Sequence, residues 1–158
     1  MSGEERGGAR RYAAKLAFER IAAVLNYSNN GYIALYGSLM DCVGGLQTAE
    51  FSGLLSFAGQ CRIRGQLVDL GDYPGLVFGP GTVEGELYEV QDDSVFKRLD
   101  KFERYDPNDL EGSLYVRRCI RLAEPDLDAW VYVYNQDADG KPLVANGSWK
   151  AHLSNIKS

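Results

Sequence analysis

Two stretches of this sequence hold groups suited to acid–base chemistry on a small anionic substrate. The first is SVFKRLDKFERY, residues 94–105. At about 100° per residue, with Phe96 at zero, Leu99 falls at about −60°, Val95 at about −100°, Phe102 at about −120° and Glu103 at about −20°. Glu103 thus lies on the apolar arc, while Lys97, Arg98, Asp100, Lys101 and Arg104 lie off it. A carboxylate facing a core must be paired, neutralised or used, because burying it unpaired is costly. One reading ties Glu103 to Arg117 or Arg118 in a buried ion pair. The other makes it a working acid whose pKa is raised toward neutrality by apolar walls such as Phe96 and Phe102, so that it accepts a proton and then returns it.

The second stretch is GYIALYGSLM, residues 31–40. An apolar strand ends on Gly37, Ser38, Leu39 and Met40, whose backbone N–H groups have no obligatory partner where a strand opens into a helical turn. Such donors receive a carboxylate or an oxyanion. Tyr115, in SLYVRR, falls on the opposite strand face from Leu114 and Val116, where its hydroxyl meets an interior polar group. Nucleophilic catalysis by Ser38 with His152, the one histidine, is disfavoured: YGSLM lacks the G-x-S-x-G elbow, and His152 reads as part of a polar C-terminal tail.

The elements that must position these groups follow from pattern. Residues 1–10 read as a frayed tail and residues 11–30 as an amphipathic helix, with Ala14, Ala17, Phe18, Ile21, Val24 and Leu25 on one face. That helix is expected to dock on its own domain or on a second subunit, which makes a homodimer one expected assembly. Residues 31–158 form the main domain. Strands are expected at Tyr32 to Tyr36, Cys61 to Leu70, Thr82 to Val90, Leu114 to Leu122 and Ala129 to Tyr134, rich in β-branched and aromatic residues and bounded by turn formers. Gly85 would bring one strand backbone close to another group. One helix interrupts them from Ser94, its expected N-cap, to about Tyr105. GPGTVEG, residues 79–85, misspells a dinucleotide-binding fingerprint and enters a strand, so it reads as a turn. The order is that of an α+β domain with a closed or nearly closed barrel, not of a doubly wound sheet.

Composition sets the outer bounds. The chain has 158 residues, enough for one core without staples. With 17 Lys and Arg against 22 Asp and Glu, its net charge of −5 lacks the basic footprint of a nucleic-acid binder. Cys42, Cys61 and Cys119 are far apart and odd in number, which suits a reducing, cytoplasmic setting and offers no metal site. No apolar run reaches the length of a membrane span, so no membrane partner is expected.

Taken in order, the strand leading into YGSL (36–39), the turn GDYPG (71–75), VEGELYEV (83–90), LDKFERY (99–105), LYVR (114–117) and AWVYVY (129–134) resemble the gamma-glutamylcyclotransferase-like superfamily from about Tyr32 to Tyr134. The resemblance implies a small mixed β-barrel with flanking helices, to which the N-terminal helix is an addition. It also implies an enzyme that cyclises a γ-glutamyl group to 5-oxoproline and releases the attached amine or amino acid, without metal or organic cofactor. Glu103 matches the catalytic glutamate; Tyr36, Gly37, Ser38 and Leu39 match the substrate-binding loop, and Tyr115 a tyrosine near the substrate. Two positions depart from the common pattern: Arg104 where many members have glycine, and Met40-Asp41 where many have arginine or asparagine after the loop. Since a fold does not establish an activity, the alternative is a catalytically inactive domain of the same fold that binds a small ligand or a partner. The retained Glu103 favours catalysis.

Overall fold

The computed structural model describes residues 31–37, 51 and 53–157. The tail and helix expected over residues 1–30, and Ser38 to Met40 of the loop, lie outside the described residues. Five strands form one mixed sheet: β1 (Tyr32–Leu35), β2 (Leu55–Asp69), β3 (Pro74–Val90), β4 (Tyr115–Arg121) and β5 (Asp128–Tyr134). Their order is β2-β3-β1-β5-β4, with β1 and β5 parallel and the other pairs antiparallel. Two helices complete the domain, α1 (Ser94–Phe102) and α2 (Trp149–Lys157). Among the described residues no helix is long and apolar enough to cross a membrane.

Strand alternation splits the core between the two faces of the sheet. Ile33 and Leu35 point to the face that α1 covers with Val95 and Leu99. Ala34 and Tyr36 point to the other, where Ile63, Leu67 and Val131 meet Trp149 of α2. The sheet also curls. Arg62 of β2 donates its N–H to Glu124 O (2.7 Å) just beyond β4, and Ala123 N–H returns to Arg62 O (3.0 Å), so the edges meet at a single bridge. The expected barrel is therefore an open one, pinned rather than closed by a ladder. Gly85 makes the close approach read from the sequence, since a Cβ there would lie 2.9 Å from Leu35 O.

The hairpin of β2 and β3 is longer than the strand signals indicate. Both strands run through glycines that normally interrupt a strand, and the pairing tolerates them as irregularities. Arg64 pairs with Thr82 and Gln66 with Val77, so residues 78–81 face Gly65 alone, which takes φ 136°. GPGTVEG is thus part of β3, its turn-like residues forming an outward bulge.

The helices also differ from expectation. Ser94 is the first residue of α1 and not its cap; its N–H is received by Asp92 Oδ1 (2.9 Å). The segment read as a polar tail is α2, where Ser148 Oγ accepts the N–H of Ala151 (3.2 Å) at the helix start. His152 Nε2 donates to Asp69 Oδ2 (2.8 Å) and its ring stacks on Trp149, tying α2 to the end of β2.

The hydrogen bond from His152, followed by that from Gly71 N–H, holds the Asp69 carboxyl below the usual carboxylate range. A depressed folded-state pKa contributes stability above the unfolded value of about 3.9 that is lost as pH falls through the folded one. Asp69→Asn is expected to lower stability at pH 7 by about 1–2 kcal/mol and to flatten the loss of stability below about pH 4, read by urea titrations at stepped pH.

Candidate active site

β1 ends, α1 ends and β3 begins around one cavity of about 160 Å³. Tyr36 and Gly37 come from the end of β1, Tyr73 and Pro74 from the turn into β3, and Glu103 and Arg104 from the end of α1. Tyr115 and Tyr132 contribute from the neighbouring strands β4 and β5. The volume suits a head group the size of one amino acid, below the roughly 300–1,000 Å³ of pockets for drug-sized ligands.

Glu103 is the C-cap of α1, one residue beyond the last helical position, and its N–H still bonds Leu99 O (2.8 Å). The helix closes with a Schellman motif: Tyr105 N–H reaches Asp100 O (2.8 Å) and Arg104 N–H reaches Lys101 O (3.2 Å). Arg104, in the position where this motif favours glycine, has φ 54°.

The ion pair that would make Glu103 structural is formed instead by its neighbour one turn back. Arg117 places Nε 2.9 Å from Asp100 Oδ1 and Nη2 3.3 Å from Oδ2. Its guanidinium also lies 4.4 Å from the Phe96 ring centre and 4.9 Å from that of Trp130. Tyr132 Oη donates to Asp100 Oδ1 (2.6 Å). Asp100, off the apolar arc of the helix, is thus partly buried, and Phe96, expected to wall Glu103, packs under Arg117. Among the described residues the Glu103 carboxyl makes no hydrogen bond or ion pair, and burial pushes its pKa up to about 7.

The tyrosines work differently. Tyr36 Oη donates to Tyr132 O (2.5 Å) and accepts from Leu76 N–H (3.1 Å), while Tyr115 Oη donates to Pro74 O (2.5 Å). Tyr115 therefore fastens the start of β3 through its hydroxyl hydrogen and Tyr36 through its hydroxyl oxygen, while the Tyr36 hydrogen ties it to β5; both residues line the cavity. Burial first, then the nearby Tyr115 and Glu103, pushes Tyr36 well above its ordinary pKa; burial, then Glu103, does the same for Tyr115. Neither is a base near neutral pH. Gly37 has an ordinary φ, and a Cβ there would lie 2.9 Å from Pro74 Cγ, so the close approach it permits is to the turn that roofs the cavity.

Of the residues singled out from sequence, Tyr36, Gly37, Glu103 and Tyr115 line this cavity, while Ser38 and Leu39 lie outside the described residues. His152 is paired with Asp69 in α2. Sequence reasoning did not single out Tyr73, Pro74, Arg104 or Tyr132 as lining residues. For Tyr132 a signal existed, since alternation in AWVYVY puts Trp130, Tyr132 and Tyr134 on the α1 face.

Comparison with known proteins gives a consistent set of relatives. The family model described as gamma-glutamyl cyclotransferase, AIG2-like, matches residues 33–151. The gamma-glutamylcyclotransferase family protein YtfP of Escherichia coli is 35% identical over 120 residues, covering 74% of this chain and 94% of its own. The gamma-L-glutamyl-butirosin B gamma-glutamyl cyclotransferase of Niallia circulans is 36% identical over 106 residues, 65% of this chain and 66% of that protein. The crystal structure of a mouse AIG2-like protein superposes with a TM-score of 0.59 at 26% identity, covering 75% of this chain and 87% of that one.

Removing Asp100 leaves Arg117 without its carboxylate at a site where the two side chains are 21% and 17% exposed. Asp100→Ala is expected to cost about 2–3 kcal/mol in chemical denaturation, and Asp100→Ala with Arg117→Met to recover part of it, because the uncompensated charge is the larger penalty.

Proposed function

The chain belongs to the gamma-glutamyl cyclotransferase, AIG2-like family, and we propose that it cyclises the γ-glutamyl group of a small donor to 5-oxoproline and releases the attached amine or amino acid, with Glu103 as base and then acid. The observation that carries this reading is the state of Glu103: a carboxyl lining an amino-acid-sized cavity, without an ion pair among the described residues, and raised by burial to about 7.

A γ-glutamyl donor brings its own nucleophile. Its neutral α-amine attacks the γ-carbonyl to close a five-membered ring, so the protein's main task is to hold that conformer, an effect that can contribute about 7–11 kcal/mol. Of the two amine protons, one stays on the ring nitrogen and one passes to the Glu103 carboxylate as the new C–N bond forms. Glu103 then hands that proton to the leaving nitrogen as the old C–N bond breaks, and returns to carboxylate. A carboxyl with a pKa near neutrality suits both halves, being a strong enough base for the first and a strong enough acid for the second. We assign the donor's α-carboxylate to the backbone N–H groups of Gly37, Ser38 and Leu39, and the wall against which the glutamyl chain folds to Tyr36 and Tyr115. We place the reaction in the cytoplasm; the buried free thiol of Cys61 supports a reducing compartment.

Incubation with γ-glutamyl amino acids, γ-glutamylamines and a γ-glutamyl-lysine isopeptide, followed by chromatography for 5-oxoproline, tests the reading. At least one donor class is expected to yield it, with kcat/KM falling as pH drops below about 7 because the base must be ionised. Glu103→Gln is expected to fold normally and lose roughly 10²–10⁴-fold in turnover. Full activity in folded Glu103→Gln would remove the assigned role.

A further inference from the structure

Arg104 is the one non-glycine among the described residues with a positive φ, 54°. The left-handed conformation strains an L-residue with a Cβ, a cost that glycine avoids. Backbone bonds on both sides hold it there: its N–H to Lys101 O (3.2 Å) and its carbonyl from Leu114 N–H (3.0 Å). The side chain thus leaves the backbone from a fixed point beside Glu103. It is exposed, it lines the same cavity, and among the described residues it makes no ion pair or hydrogen bond. Arg117 is engaged with Asp100, Arg121 with Asp126 and Asp128, and Arg62 with Glu84. Glu103 and Arg104 are the charged residues among the described ones that line the cavity.

The size of the cavity decides which part of a donor meets this guanidinium. About 160 Å³ encloses a glutamyl head and little more, so the substituent on the leaving nitrogen emerges at the rim. In a γ-glutamyl amino acid that substituent carries a carboxylate two bonds from the leaving nitrogen; in a γ-glutamylamine it carries none. We infer that Arg104, exposed at the rim beside Glu103, binds a carboxylate on the leaving side of the donor and so selects γ-glutamyl amino acids and peptides over γ-glutamylamines. The guanidinium matches a carboxylate in two-point geometry, which a solvated lysine in the same place would do less well. This inference rests on the cyclotransferase reading.

The test compares γ-glutamyl-alanine with γ-glutamyl-ethylamine, which differ by the leaving-side carboxylate, in the wild type, Arg104→Gly and Arg104→Lys. Glycine suits φ 54°, so the first variant is expected to fold and to be at least as stable as the wild type. The ratio of kcat/KM for the alanine donor over the ethylamine donor is expected to exceed one in the wild type, to drop about tenfold in Arg104→Gly and to be largely kept in Arg104→Lys. Raising salt should compress the wild-type ratio and leave that of Arg104→Gly flat. An unchanged ratio in Arg104→Gly overturns the inference, including the case in which both donors slow together, which would assign Arg104 to the glutamyl carboxylate. A wild type active on both donors without preference overturns the inference alone. A wild type that yields 5-oxoproline from neither overturns the inference, and one that also yields none from the γ-glutamyl-lysine isopeptide overturns the cyclotransferase reading with it.

Discussion

Arg117 lies against Phe96 and Trp130 with Nε and Nη2 both on the Asp100 carboxylate, and that placement fixes the chemical state of the residue three positions further along the helix. A guanidinium paired with Glu103 would hold its carboxyl ionised and low in pKa, making it a structural acid. With Arg117 engaged one turn back, burial acts on Glu103 without an ion pair to oppose it among the described residues, and the pKa rises to about 7. The same pair draws in Tyr132, whose hydroxyl bonds Asp100 and whose carbonyl receives Tyr36. One charge pair beneath α1 thus orients both the helix that carries the acid and the strand that forms the back of the cavity.

The other side of the cavity is held by hydroxyl-to-backbone bonds. Tyr36 and Tyr115 fasten Pro74 and Leu76, and Gly37 gives up its side chain so that the Pro74 ring can pack against the end of β1. The turn into β3 is therefore part of the site, although it contributes no acid or base. Positioning by buried tyrosines that stay neutral leaves Glu103, among the described lining residues, to titrate near neutral pH, which is what a reaction needs if a single residue is to move a proton both ways.

Much of this was legible in the sequence, and the misses have definite causes. Five strands, the helix after Ser94 and the mixed α+β class follow from apolar runs and turn formers, which report local backbone preference well. The long β2–β3 hairpin does not, because Gly59, Gly65 and Pro80 read as breaks until tertiary pairing absorbs them as irregularities. The helix α2 was missed although Ser148 as a cap and the spacing of Trp149 and Leu153 signal it; its partly buried His152 and several polar residues gave it the look of a tail. Glu103 stood out because helical geometry extends one residue past Phe102 into its cap position. Which arginine pairs with which acid was beyond reach, since periodicity places Asp100 and Glu103 on different arcs but says nothing of where β4 delivers Arg117.

The central claim is that Glu103 is a carboxyl poised near neutrality because burial acts on it while Asp100 takes the nearby arginine. Its direct test is the titration of the Glu103 side-chain carboxyl carbon by NMR across pH 3 to 9, assigned by comparison with Glu103→Gln. The account predicts a midpoint at about 7. A midpoint close to the ordinary glutamate value of about 4.3 would contradict it, and would return Glu103 to the role of a solvated or ion-paired surface acid.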